Sequence, residues 1–122
     1  MVKLMALLKR KAGLSLEEFQ RYYETHHAPL AVRIAAMGHD YRRNYLRSMR
    51  KAGVEVDGVM PFDVITEVWF KDRAAYEAFS ASMKQPEIRQ QIVADEERFM
   101  DRDASQIFIV EENCSPGSSE TR

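Results

Sequence analysis

An α+β domain with the element order βαββαβ is expected from three observations on this 122-residue chain. Residues 62–70 are dense in Val, Ile, Thr and aromatic side chains, the composition of a pleated, buried strand. Residues 15–30 carry apolar and aromatic side chains at helical spacing behind a capping signal. Short apolar runs at 2–8 and 106–111 have strand length and adjoin turn residues. One domain is implied, because single cores span about 50–200 residues.

The first run is apolar except for Lys3 and ends at Lys9, Arg10, Lys11 and Gly13. Ser15 and Glu18 are then spaced for a reciprocal capping box, and Leu14 and Phe19 for a hydrophobic staple. Phe19, Tyr22, Tyr23, His26, His27 and Leu30 continue the helical pattern. Pro29 removes a backbone donor, so a kink is expected near His27 and Ala28, with a short segment over 31–37 and a stop at Gly38. Residues 41–49 read as the second strand, with Tyr41, Arg43, Tyr45 and Arg47 on one face. Gly53, Gly58 and Pro61 mark 51–61 as a loop.

The third strand puts Asp63, Ile65, Glu67 and Trp69 on one face and Val64, Val68 and Phe70 on the other. Asp72 caps a helix with the stripe Tyr76, Phe79 and Met83. Pro86 opens another helix to about residue 99, burying Ile88, Ile92, Val93, Phe99 and Met100. Residues 106–111 form the last strand. A domain over 1–112 and a disordered polar tail over 113–122 are expected.

This order is the ferredoxin-like arrangement, a four-stranded antiparallel sheet with both helices on one face. A third strand apolar on both faces needs cover on both. A homodimer through the open sheet face supplies it.

Composition narrows function. Lys and Arg number 18 and Asp and Glu 19, so no basic excess points to nucleic acid. Cys114 is the sole cysteine, which excludes an internal disulfide and a thiolate zinc cluster. The N-terminal run lacks the charge order of a secretory signal, and no stretch approaches roughly 18 apolar residues. A cytoplasmic protein without membrane contact is expected.

The segments KRKAGLSLEEFQRYYETHHAPLA and DVITEVWF resemble the EthD family of the dimeric α+β barrel superfamily. The matching positions are Phe19, Tyr23, His27, Ala28, Pro29, Leu30, Asp63, Glu67, Trp69 and Phe70. The likeness in element order covers residues 2–112. It implies a homodimer whose sheets close into a barrel, with a small-molecule pocket between sheet and helices. Related members act on lactones, aromatic polyketides and similar carbonyl compounds without metal or organic cofactor, and some are accessory proteins of oxidative degradation. In the muconolactone-isomerising branch a cysteine stands at the position of Val68, so that thiol chemistry is not implied here.

His27 is the foremost candidate for proton transfer, since it lies on the Phe19–Tyr23–His27 stripe and imidazole titrates near neutral pH. The plainer role is a core histidine bonded to a backbone carbonyl. His26 points about 100° away and suits packing or the rim. Adjacent helical positions do not suit a metal, whose helix ligands stand at i and i+4. His39, beside Gly38, either rims a pocket or is solvated.

The resemblance places Tyr41 toward the pocket, where its hydroxyl can donate to a substrate oxygen. An amphipathic strand tyrosine with a wet tip fits equally. Tyr45 shares its face, and Tyr23 and Val68 are wall positions. Asp63 and Glu67, about 13 Å apart on an extended strand, exceed the ~5–9.5 Å of a glycosidase pair. Cross-strand ion pairs with Arg43 and Arg47 are the simpler use, while the resemblance leaves Asp63 as a third catalytic candidate. Arg42, Arg43, Arg47 and Arg50 form either an anionic-ligand site or a solvated face.

The leading reading is a cofactor-independent acid/base enzyme on a small cyclic or aromatic carbonyl compound, an isomerase or lyase. The competing readings are a ligand-binding accessory protein and a cofactor-free monooxygenase.

Overall fold

The computed structural model describes residues 1–58 and 60–118. Strand β1 (Val2–Arg10) leads to helix α1 (Leu16–Tyr22), a π turn (Tyr23–His27) and helix α2 (Ala28–Ile34). Strand β2 (Asp40–Tyr45), a hairpin of β3 (Met49–Lys51) and β4 (Val54–Val56), and strand β5 (Val64–Phe70) follow. Helices α3 (Arg73–Lys84) and α4 (Pro86–Phe99) lead into strand β6 (Met100–Val110). The main sheet is four-stranded, ordered β2-β5-β1-β6, with every neighbouring pair antiparallel. The fold is ferredoxin-like with a small hairpin inserted before β5.

The capping box forms as expected: Glu18 N–H donates to Ser15 Oγ at 3.1 Å and Ser15 N–H to Glu18 Oε1 at 3.0 Å. The irregularity expected near His27 and Ala28 takes the form of a π turn over Tyr23–His27. Backbone at His27 and Ala28 stays helical, and Ala28 N–H donates to the Tyr23 carbonyl, five residues back. Pro29 cannot donate to the carbonyl four residues before it, and the wider π turn just ahead of it carries the chain through without a break. Gly38 does not end the helix, which stops at Ile34 with Ala35 as its cap.

Two further expectations are corrected. The span 41–49 is strand only to Tyr45, and the supposed loop holds the β3–β4 hairpin, paired Met49 to Val56 and Lys51 to Val54. Its two-residue turn has positive φ at both Ala52 (51°) and Gly53 (78°), the twist that suits a tight hairpin. Strand β6 begins at Met100, not at 106, and a register shift between Leu7 and Lys9 lets its first half pair past the apolar part of β1.

The helix-side core contains Leu4, Ala6, Leu8, Phe19, Tyr23, Val64, Val68, Phe70 and Phe99. On the other sheet face Lys3 and Trp69 are buried even in the single chain, the Lys3 ammonium standing 4.5 Å from the Trp69 ring centroid. Lys3 Nζ also pairs with Glu67 at 2.8 Å and Glu112 at 3.0 Å. Glu67 also accepts from Asn44 of β2 at 3.0 Å, while Arg43 pairs with Glu24 and Arg47 with Gln20 in place of the expected cross-strand ion pairs. Residues 113–118 are exposed and carry no helix or strand, and 119–122 of the polar tail lie outside the described residues.

Candidate active site

His27 is buried at 7% exposure between the π turn and α4. Its Nδ1 lies 2.9 Å from Asp95 Oδ2, and the hydroxyl of Tyr22 donates to Asp95 Oδ1 at 2.5 Å. A carboxylate can only accept, so the imidazole donates from Nδ1–H and keeps Nε2 as its basic nitrogen. Burial, reinforced by Asp95, pushes the Tyr22 hydroxyl up to about 12, so it remains a donor. The Phe99 ring packs on His27 at 4.9 Å between centroids and on Tyr22 at 5.4 Å. Glu96, the next residue on α4, has its carboxyl raised chiefly by burial, with His27 and Arg102 pulling the other way.

Tyr23 joins this cluster to the sheet. Its ring lies 5.6 Å from that of His27, and its hydroxyl is 2.8 Å from Thr66 Oγ1 on β5. Tyr41, on β2, donates to the Tyr23 hydroxyl at 3.2 Å. Burial raises the pKa of both phenols, so the chain Tyr41–Tyr23–Thr66 stays protonated. A ligand oxygen that receives the Tyr41 proton must replace Tyr23 as its acceptor. Register sets Val68 opposite Tyr41, Thr66 opposite Arg43 and Val64 opposite Tyr45, which gathers these residues on the helix side of the sheet.

Arg43 lies over the Tyr41 ring at 4.7 Å and is held by Glu24 of the π turn. Tyr45 donates to the same carboxylate at 2.6 Å. Arg47 donates to Gln20 at 3.0 Å and so faces α1. His26 is exposed and packs on Tyr22 at 4.7 Å, while His39 is exposed one residue before β2.

Asp63 stands apart from these groups in its bonding. Buried at 3% exposure, its Oδ2 accepts Arg10 N–H at 2.8 Å and lies 3.5 Å from Lys9 Nζ. These bonds tie the start of β5 to the end of β1. Among the described residues no group of three or more His, Cys, Asp or Glu side chains is placed to hold a metal, and no helix is long and apolar enough to cross a membrane.

Residues 11–103 match the model of the EthD domain, which is most of the chain. The chain belongs to the EthD family. No functionally curated protein matches its sequence. Among solved structures, an ethyl tert-butyl ether D (EthD) family protein from Bacillus halodurans is similar at 21% identity and a TM-score of 0.62, covering 93% of this chain and 99% of that one. HapK from Hahella chejuensis shares 12% identity at a TM-score of 0.64, covering 98% and 99%. A dimeric protein of unknown function with a ferredoxin-like fold from Bacteroides fragilis shares 10% identity at 0.52, covering 91% and 95%. At these identities the likeness concerns the fold.

In this EthD domain His39 stays exposed just before β2, and the other candidates read from the sequence divide into two sets. His27, Tyr23, Tyr41, Arg43, Tyr45 and Val68 lie along one continuous layer between the first helix and the sheet. Asp63 is bonded at the β1–β5 junction. The residue missed is Asp95. It stands three after Ile92 and four before Phe99, both buried, so it interrupts the inward stripe of α4 with a carboxylate. That interruption was the available signal. Glu24 carried none, because its bond to Arg43 depends on packing between elements.

Proposed function

We propose that this EthD domain is a cofactor-independent acid/base enzyme acting beside the carbonyl of a small cyclic or aromatic compound. His27 Nε2 takes the proton. Asp95 holds the ring and stabilises the imidazolium that forms, and Tyr41 donates to the developing oxyanion. The observation that carries this reading is the His27–Asp95 bond at 2.9 Å: it fixes one tautomer of a buried imidazole, which hydrophobic packing alone would not require. Isomerisation, dehydration and cyclisation can begin with such a transfer, and decarboxylation ends with its reverse, protonation of the carbon that CO2 leaves.

The working unit in this reading is a homodimer through the open sheet face. Ile65 and Phe108 lie on that face, Phe108 at 46% exposure, and the similar Bacteroides protein is described as dimeric. A face of that composition is more stable covered.

Exchange of carbon-bound protons in heavy water tests the chemistry without knowledge of the product. A panel of small lactones and cyclic or aromatic ketones is incubated with the protein and followed by proton NMR. Wild type is expected to accelerate exchange in at least one class, and His27→Gln to lose it about a hundredfold while keeping the fold and the dimer. Equal exchange by wild type and His27→Gln overturns the assignment.

A non-catalytic ligand-binding role is the second reading, and one observation favours it. Among the clefts of the described surface, five of about 230–550 Å³ are lined by neither His27 nor Tyr41. Ligand binding without exchange across the whole panel supports that role instead.

A further inference from the structure

The guanidinium of Arg43 is occupied by a carboxylate of its own chain. Nε and Nη2 donate to Oε2 and Oε1 of Glu24 at 2.7 and 2.8 Å, a bidentate pair. The Tyr45 hydroxyl adds a third donor to Glu24 Oε2 at 2.6 Å. Neither partner of the pair is deeply buried, the side chains being 22% exposed for Arg43 and 37% for Glu24. Both line an open cleft of about 510 Å³ whose other walls are Ala28, Pro29, Val32 and the exposed Arg33. Val32 is 60% exposed, an apolar side chain left in water at the mouth.

We propose that this cleft binds a carboxylate-bearing apolar ligand, and that Glu24 is an internal stand-in which the ligand's carboxylate displaces from Arg43 and Tyr45. The planar fork of arginine matches a carboxylate in two parallel bonds, and the tyrosine hydroxyl completes a three-donor receptor. Exposed ion pairs contribute little to stability, so folding does not depend on keeping Glu24 there. Replacing one carboxylate by another conserves the hydrogen bonds. The net gain then comes from covering the exposed Pro29 and Val32, at about 25 cal/mol per Å² of apolar surface. Displaced Glu24 returns to water from an already exposed position, and Arg33 adds positive charge at the entrance.

This inference rests on the proposed small-molecule site, and it names the substrate class. Arg43 stacks on the Tyr41 ring, so its guanidinium stands between the cleft and the phenol assigned to the oxyanion, which does not itself line the cleft.

The test is binding of naphthoate and of its neutral counterpart naphthamide to the full chain, by calorimetry or NMR titration. Removing the stand-in in Glu24→Ala, and in Glu24→Gln as the closer isostere, is expected to tighten naphthoate about tenfold and leave naphthamide unchanged. Arg43→Met is expected to abolish the preference for the acid. No tightening in either folded Glu24 variant, or equal affinity for acid and amide in wild type, overturns the proposal. Naphthoate needs no turnover, so the two readings fail separately. Exchange lost with acid binding intact removes only the catalytic assignment, and acid binding absent with exchange intact removes only this one.

Discussion

Asp95 accepts from both His27 Nδ1 and the Tyr22 hydroxyl, at 2.9 and 2.5 Å, and so couples the first helix to α4 through one carboxylate. Both donors need an acceptor. Asparagine offers one oxygen and an amide that cannot accept. Asp95→Asn is therefore expected to misplace the imidazole proton and lower kcat for proton exchange by about 10²–10⁴, the range seen when a base loses its orienting carboxylate. KM should stay within about twofold, because the carboxylate touches no substrate. A raised KM with kcat preserved would show that Asp95 binds ligand instead.

Asp63→Ala separates a structural carboxylate from a catalytic one. The substitution leaves the Arg10 N–H without its acceptor and Lys9 without its closest carboxylate. Urea unfolding is expected to show a loss of about 1–3 kcal/mol, the cost of an unmet buried donor. His27-dependent exchange by the remaining folded protein should be retained. Loss of exchange in a fully folded Asp63→Ala protein would place Asp63 in the catalytic set.

Gly38 lies against the backbone of β5, where a β-carbon would collide with the Trp69 carbonyl and crowd a Val68 methyl. Backbone in a paired strand cannot yield as a flexible side chain can. Gly38→Ala is expected to cost about 1–3 kcal/mol as overpacking, read as a lower melting temperature. The site should shift with it, since Val68 faces Tyr41 in the register. An unchanged melting temperature would mean that the turn before β2 moves freely.

These positions show which physics a single sequence carries. Local patterns were readable: the Ser15–Glu18 cap, the stripe Phe19–Tyr23–His27, and the alternation that set Val64, Val68 and Phe70 against Ile65 and Trp69. Pro29 announced a disturbance, but whether the helix breaks or widens into a π turn depends on keeping Tyr23 and His27 both in the core. The first half of β6 was invisible because Asp101, Arg102 and Asp103 lack apolar alternation, and its pairing is fixed by backbone bonds past a bulge. The β3–β4 turn was hidden for a related reason: its first residue is Ala52, a poor choice for positive φ, where Asn or Gly would have marked it. Asp95 and Glu24 matter through partners 68 and 19 residues away, and no local rule reaches that far.

Acid should release the Glu24 latch. The Arg43 guanidinium, aided by Tyr45 and opposed by partial burial, holds the Glu24 carboxyl below its ordinary value of 4.5. With the folded pKa lowered, the unfolded chain takes up this proton first as pH falls, so stability rises with pH between the two values. The contribution is complete above the unfolded pKa and is lost as pH falls through the folded one. Both partners are partly exposed, so solvent screening keeps it under about 1 kcal/mol. Urea unfolding over a descending pH series is expected to show a smaller acid loss in Glu24→Gln than in wild type, with the two proteins converging once the pH is below the folded pKa of Glu24. Parallel acid losses would mean that Glu24 gains nothing from Arg43 in solution, and the bidentate pair would then be no obstacle to an incoming carboxylate.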